Sequence, residues 1–152
     1  MRLSYQLLDV FTGEPLKGNP LAVVHKADAL LDDQMQAVAR EFNLSETAFI
    51  CKPSSERQAA NVRIFTPAIE LPFAGHPTIG AAVALGLMSR ASAVRLEEHI
   101  GVITCVFDKV DRHTGHVRFA LPRLPEPAGN APTKLAIAGT LGIDPDEIGC
   151  GP

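Results

Sequence analysis

Residues 78–88 read TIGAAVALGLM, an eleven-residue run without a charged side chain. Pro77 stands directly before the run, and proline favours the first helical position because its missing N–H would have no intrahelical partner there. A helix over residues 77–88 would be apolar on every face and would therefore have to be buried on every side. Since the flanking sequence is rich in strand-forming residues, we predict a central helix enclosed by a sheet. The small side chains of the helix would let the strands approach closely.

Strand-like segments flank this helix on both sides. We predict strands at residues 3–10, 21–24, 48–51 and 60–65 before it, and at 94–96, 100–107 and 116–121 after it, with a turn at 111–115. One amphipathic helix is predicted over residues 28–42, where Met35, Val38, Ala39 and Phe42 recur at helical spacing. The predicted fold class is α+β.

The composition changes after residue 121. Four prolines and one glycine fall within eleven residues, which is typical of a linker: Pro122, Pro125, Pro127, Gly129 and Pro132. We predict one domain over residues 1–125, followed over residues 126–152 by a linker and the start of a second, truncated domain. A short helix is expected from residue 133. The chain stops at residues 149–152 with neither a capped helix nor a closing strand, which we interpret as truncation.

The composition argues against several classes of function. A formal net charge of -3 leaves no basic surface for a phosphate backbone, so we expect no nucleic-acid binding. The first residues reach Asp9 before any long apolar run forms, so we expect neither a signal peptide nor a membrane partner, and a cytoplasmic location. Cys51, Cys105 and Cys150 are scattered, which suits a reducing compartment and predicts no metal site.

A candidate anion site lies where the apolar helix begins. His76-Pro77 marks the helix start, and Gly75 lets the backbone turn before it. The first amides of a helix have no intrahelical partners and carry the positive end of the helix dipole. A carboxylate or a phosphate could therefore bind there. The expected donors are the amides of His76, Thr78 and Ile79 and the Thr78 hydroxyl, and a helix start that binds only water is the alternative.

Glu46 is the candidate acid/base. It stands in the polar triplet Ser45-Glu46-Thr47 directly before an apolar strand. A solvated loop carboxylate is one interpretation. A carboxylate partly desolvated by the strand, with its pKa raised toward the value that a general acid/base needs, is the other. Ser45 lacks a GxSxG context, and the glycines form neither GxGxxG nor a Walker A pattern.

Five motifs together resemble the PhzF-type family of the diaminopimelate-epimerase-like superfamily. They are DVFT at residues 9–12, GNPLAV at 18–23, NLSETAF at 43–49, RIFTP at 63–67 and ELPFAGHPTIG at 70–80. Each motif is short, and the last is the most specific. Their order and spacing, from residue 5 to about residue 125, carry the resemblance.

The resemblance implies a fold of two pseudo-symmetric halves, each a curved mixed sheet wrapped around a central helix, with the active site in the cleft between them. It implies that Glu46 is the catalytic acid/base and that Gly75, His76 and Thr78 hold the substrate, with Asn19 near the cleft. The family's named reaction isomerises trans-2,3-dihydro-3-hydroxyanthranilate by moving a proton, without a cofactor or a metal. Epimerase and racemase relatives carry a cysteine where this chain has Ala74, so a two-thiol racemase is not expected.

Two hypotheses follow from the half-length sequence. The first is an isomerase of a small carboxylate that acts when a second copy of the chain, as a homodimer, or a separate second half completes the cleft. The second is an inactive half-domain that serves at most as a ligand-binding or interaction module. Glu46 and the Gly75-His76-Pro77 loop favour the first, and the abrupt end of the chain favours the second.

Overall fold

The structure is a computed structural model that describes residues 2–89, 91–124, 126, 129 and 132–149, with the backbone alone at 109 and 110. It contains eight strands: β1 Ser4–Val10, β2 Asn19–His25, β3 Glu46–Cys51, β4 Ala60–Phe65, β5 Glu70–Leu71, β6 Ala93–Glu98, β7 Gly101–Val110 and β8 Gly115–Phe119. The α-helices are α1 Asp32–Phe42, α2 Gly75–Ser89 and α3 Lys134–Leu141. Short 3-10 turns occur at Ala27–Ala29 and Pro145–Glu147.

The eight strands form one mixed sheet in the order β1-β2-β3-β4-β6-β7-β8, with β5 paired to β4. Two neighbouring pairs, β2–β3 and β4–β6, are parallel, and the other pairs are antiparallel. The connection from β4 to β6 contains α2, as expected for a crossover between parallel strands. The sheet curls around that helix.

Helix α2 is enclosed as the sequence predicts. It contacts β1, β2, β3, β4, β6, β7 and β8, which include strands from both flanking regions. Its small residues permit this approach, because a Cβ at Gly80 would run into the buried Leu21 side chain and one at Gly86 into the Phe107 ring. The predicted α+β fold, with a sheet wrapped around a central apolar helix, is confirmed.

The two faces of the sheet have separate cores. The inner face packs on α2 through alternate residues of each strand, such as Leu21 and Val23 of β2. The outer face packs on α1, where Met35 and Ala39 meet Phe49. This alternation decides which side chains of a strand can reach the start of α2.

Several predicted element boundaries were wrong, and one strand was missed. The helix expected from residue 28 begins at Asp32, because Ala27–Ala29 forms a 3-10 turn and Leu30 is extended. The Gln34 side chain then accepts from the Leu31 amide at 3.0 Å at the new helix start. The strand expected at residues 94–96 runs on to Glu98, and β5 was not predicted.

The C-terminal part contains the helix expected from residue 133. The Thr133 hydroxyl accepts from the Ala136 amide at 3.2 Å and caps the start of α3. Gly142, with φ of 69°, is the C-cap after the last helical residue, Leu141. Residues 125, 127, 128, 130 and 131, all within the proline-rich stretch after residue 121, lie outside the described residues. The division into domains at residue 125 stays a prediction. Within the described residues, no helix is both long and apolar enough to cross a membrane.

Candidate active site

Glu46 lies on the inner face of the sheet at the start of β3. It is the first residue of the strand rather than a loop residue, and it shares the inner face with Ala48 and Ile50. Its side chain is 19% exposed. Because the Oε2 atom is fully buried, the exposed part of the side chain is contributed by its other atoms. One carboxyl oxygen therefore faces the protein while the rest of the group stays accessible to solvent.

The imidazole of His76 faces the buried oxygen, Glu46 Oε2. His76 is the second residue of α2 and is 7% exposed, and its Nδ1 lies 3.4 Å from Glu46 Oε2. This distance exceeds that of an ordinary N–H···O hydrogen bond, and neither Glu46 Oε2 nor His76 Nε2 has a hydrogen-bond partner among the described residues. Buried polar atoms without partners are rare in folded proteins and are often found at functional sites.

Burial lowers the pKa of His76, an effect opposed by the Glu46 carboxylate and by the Pro20 carbonyl. The imidazole is therefore neutral at neutral pH. A neutral imidazole offers one N–H donor and one acceptor nitrogen, so it can orient a carboxyl group without forming a fixed ion pair with it.

Asn19 stands beside this pair. It begins β2, and its Oδ1 accepts from the Ser45 hydroxyl at 3.1 Å. Because Leu21 lies opposite Glu46 in the parallel register, Asn19 shares the inner face of β2 two residues away. The hydrogen bond between Ser45 and Asn19 therefore joins the Ser-Glu-Thr and Gly-Asn-Pro motifs, which are far apart in sequence.

Gly75 and Thr78 occupy different positions in the first turn of α2. A Cβ on Gly75 would meet nothing within 4 Å, so the space beside it is open. Thr78 is fully buried, and its amide donates to the Ala74 carbonyl at 3.2 Å. Its hydroxyl lies 2.8 Å from both Ala74 O and Glu98 Oε1. Ala74 is therefore the N-cap residue and provides no side-chain cap, and the amides of Gly75 and His76 have no partner within the helix.

Two residues of the site were not singled out from the sequence. Phe11, which follows β1, has its ring centroid 6.4 Å from that of His76 and is 72% exposed. Glu98 lies on the inner face of β6 behind Thr78. The signal for Glu98 was its spacing from Val94 and Leu96, which gives it the same face of the strand.

A cavity of about 280 Å³, lined in part by Phe11, adjoins the site. It is lined by β1, α2 and the β7–β8 turn, including Asp9, Ile79 and His113, and neither Glu46 nor His76 lines it. Among the described residues, no group of three or more His, Cys, Asp or Glu side chains is placed to hold a metal ion.

Comparison with known proteins gives a consistent result. A family model described as phenazine biosynthesis-like protein matches residues 8–148. An uncharacterised isomerase of Mesorhizobium japonicum is 48% identical over 151 residues, which cover 96% of this chain and 49% of that protein. The trans-2,3-dihydro-3-hydroxyanthranilate isomerase of Pseudomonas aeruginosa is 44% identical over 107 residues, which cover 70% of this chain and 38% of that enzyme.

Among solved structures, a phenazine biosynthesis protein of the PhzF family from Bacillus anthracis superposes with a TM-score of 0.75 at 27% identity. The superposition covers 98% of this chain and 50% of that one, and the chain spans about half or less of the length of these three relatives. Because a family model matches residues 8–148 and a solved relative superposes over 98% of the chain, the chain belongs to the PhzC-PhzF family of phenazine biosynthesis-like proteins.

Proposed function

We propose that this chain supplies half of the active site of a cofactor-independent isomerase, in which Glu46 moves a proton on a small cyclic carboxylate. The substrate would be trans-2,3-dihydro-3-hydroxyanthranilate or a compound like it, the substrate named for the Pseudomonas aeruginosa relative. The observation that supports this most is the Glu46–His76 pair at the start of the apolar helix, 3.4 Å apart with unpartnered buried atoms on both residues.

The proposed reaction is an allylic proton transfer. Glu46 takes a proton from a substrate carbon, the electron pair shifts along the adjacent double bond, and the carboxyl group returns the proton to another carbon. One group acts first as base and then as acid, so no electron acceptor is needed. His76, neutral and buried, orients the carboxyl group between the two steps.

The substrate carboxylate would bind at the start of α2. The amides of Gly75 and His76 have no intrahelical acceptor, and the helix dipole favours a negative charge beside them. The open space beside Gly75 gives room for the ligand. Asn19 could contribute its side-chain amide, whereas Thr78, with its amide and hydroxyl already bonded, would contribute through the shape of the turn.

Thiol chemistry has less support than the carboxylate mechanism. Ala74 stands where epimerase relatives carry a cysteine. Burial raises the pKa of Cys51 to about 11 and that of Cys105 to about 12, so neither thiol forms the thiolate that a proton-transferring cysteine needs near neutral pH.

Completion of the site would require a second wall. Phe11, whose ring lies beside that of His76, is 72% exposed, and Leu16 in the loop between β1 and β2 is 92% exposed. We therefore propose that a second copy of this chain, or a separate second half, covers this face and excludes water from the cleft.

A non-catalytic binding module is the second candidate. The observation that favours it is the start of α2, where the amides of Gly75 and His76 have no intrahelical acceptor and can bind a carboxylate whether or not Glu46 transfers a proton. A half-site of this kind would still bind a carboxylate at Gly75 and His76 but would exchange no protons.

A proton-exchange assay separates the two candidates. The chain is incubated in D₂O with the dihydro-hydroxyanthranilate, and deuterium incorporation is followed by NMR. We expect exchange with the unaltered chain and a rate about 10²–10⁴-fold lower with Glu46→Gln, because the variant lacks the group that carries the proton. The matched control, Glu41→Gln, changes an exposed glutamate of α1 and should exchange at the unaltered rate. Equal rates for the chain and Glu46→Gln would refute the assignment.

A further inference from the structure

Glu98 is a buried carboxyl group that the proposed proton transfer does not use. It is the last residue of β6, faces α2 and is 5% exposed. Its Oε1 lies 2.8 Å from the Thr78 hydroxyl oxygen, and its Oε2 is buried without a hydrogen-bond partner among the described residues. An ionised carboxylate with one oxygen left unsolvated in this way would be strongly disfavoured.

The number of protons in this cluster favours a neutral Glu98. The Thr78 hydroxyl has one proton but lies 2.8 Å from two oxygens, Ala74 O and Glu98 Oε1. The Ala74 carbonyl can only accept. If Glu98 were ionised, one of the two short contacts would join oxygens with no proton between them. If Glu98 Oε1 carries a proton, it donates to Thr78 Oγ1, which donates in turn to Ala74 O, and both contacts are hydrogen bonds.

The surroundings of Glu98 agree with a neutral group. Burial raises its pKa to about 7, against a smaller opposing effect of the Thr78 hydrogen bond. On β7 the nearby titratable group is the Cys105 thiol, which is uncharged because its own pKa is about 12. On β4, Arg63 is bound to Glu70 and Asp32. Within the described part of the chain, no basic side chain lies within ion-pair distance of Glu98, and the adjacent His99 is exposed and faces Glu70 at 4.0 Å.

The hydrogen-bond chain ends at the candidate active site. Ala74 and Thr78 bracket Gly75 and His76, and the Ala74 carbonyl accepts from both the amide and the hydroxyl of Thr78. We infer that Glu98, while protonated, is a positioning residue: through Thr78 it holds the turn that sets Gly75 and His76 opposite Glu46. When Glu98 ionises, the chain of donors is broken and the turn loses its support. The effect on turnover rests on the proposed function, whereas the effect on the turn does not.

NMR of the intact chain tests the positioning role directly. The Glu98 carboxyl ¹³C shift and the Gly75 and His76 amide shifts are followed as the pH is raised through neutrality. We expect the Glu98 carboxyl to titrate well above the ordinary glutamate pKa of 4.5, with both amides following the same curve. Glu98→Gln introduces a neutral side chain of the same shape, which can donate to Thr78. In this variant the Gly75 and His76 amides should keep their low-pH shifts at every pH.

The Thr78 variants provide the matched pair. Thr78→Val removes the hydroxyl that links Glu98 to the turn, so the Gly75 and His76 amides should no longer follow the Glu98 titration. Thr78→Ser keeps the hydroxyl and should restore the coupling. Amides that follow Glu98 in Thr78→Val as well would overturn the role of the hydroxyl.

Ligand binding gives the functional readout, with anthranilate as the probe. If only the form with protonated Glu98 holds the turn, the dissociation constant should rise about tenfold between about pH 6 and about pH 8. In Glu98→Gln this rise should disappear, and any remaining slope belongs to other groups such as His76. The same pH profile in both proteins, or a Glu98 carboxyl that titrates near the ordinary glutamate pKa of 4.5, would overturn the inference. A further outcome is that the pH dependence of binding disappears in Glu98→Gln while neither the chain nor its variants exchange protons with the substrate. This outcome would support the positioning role of Glu98 and reject the isomerase proposal.

Discussion

The pH dependence of folding stability should change when Glu98 becomes glutamine. In the folded chain the pKa of Glu98 is raised by burial from its ordinary 4.5 to about 7. The folded state therefore binds this proton more tightly than the unfolded state. Its contribution to stability is complete below about pH 4.5 and is lost as the pH rises through about 7.

The size of this contribution follows from the two pKa values. A rise from 4.5 to about 7 corresponds to roughly 3 kcal/mol of unfolding free energy. Glu98 is almost fully buried, so solvent screening reduces the figure little. A whole domain is typically stable by about 5–15 kcal/mol, so the change should be easy to measure.

Other groups act in the opposite direction. Burial lowers the pKa values of His76 and His25, so these residues stabilise the folded chain above about pH 6.5 and destabilise it as the pH falls. The unaltered chain alone can therefore show a nearly flat profile. The difference between the chain and Glu98→Gln removes the histidine contributions and isolates Glu98.

Urea unfolding at constant ionic strength is the assay, from about pH 4.5 to about pH 8. The stability of the chain minus that of Glu98→Gln should fall by roughly 3 kcal/mol across this range. The exposed control Glu41→Gln should show no such trend. A difference that stays constant with pH would mean that Glu98 titrates alike in both states, and the proton-count argument would then be wrong.

Three further results are expected. Gly80→Ala should lower the free energy of unfolding by about 1 kcal/mol, because the added Cβ would run into the buried Leu21 side chain of β2. The control Gly139→Ala, where the added Cβ meets nothing within 4 Å, should not lower it. Urea unfolding measures both variants, and a Gly80→Ala variant more stable than the unaltered chain would contradict the close approach of α2 to β2. Arg63→Lys should lower the free energy of unfolding by about 1 kcal/mol in the same assay, because lysine cannot form the two guanidinium hydrogen bonds to Glu70 at 2.7 and 2.6 Å. An unchanged unfolding midpoint would count against a stabilising role for those bonds. Sedimentation should show a concentration-dependent dimer, because Phe11 beside His76 and Leu16 in the same loop are exposed, and a monomer at every concentration would contradict the homodimer.

The central helix could be predicted from the sequence because its composition leaves one solution. A run with no charged residue between 78 and 88 has to be covered on all sides, and the strands on both flanks are the available cover. The proximity of Glu46 and His76 could not be derived from residue patterns. It depends on the packing of the first turn of α2 against the start of β3, and here the family resemblance supplied what periodicity could not.

Glu98 was missed because strand β6 was expected to end at residue 96. Two consecutive glutamates at 97 and 98 are typical of a solvated strand end. In the structure, Glu98 pairs with Gly101 across a tight turn, which extends the strand and directs the second glutamate inward. Glu97 points the other way and accepts from the Ser54 amide and hydroxyl. The two adjacent glutamates have opposite surroundings because side chains alternate along a strand, and the structure shows that this strand reaches residue 98.

The enclosure of α2 by strands from both sides has a consequence for synthesis. The helix ends at Ser89, but its cover is complete only when β8 has formed, at Phe119. A chain growing from the ribosome therefore carries an apolar helix with one side uncovered until about thirty more residues have emerged from the exit tunnel. A nascent chain arrested before β8 should bind chaperones that recognise apolar segments, and one arrested beyond it should not.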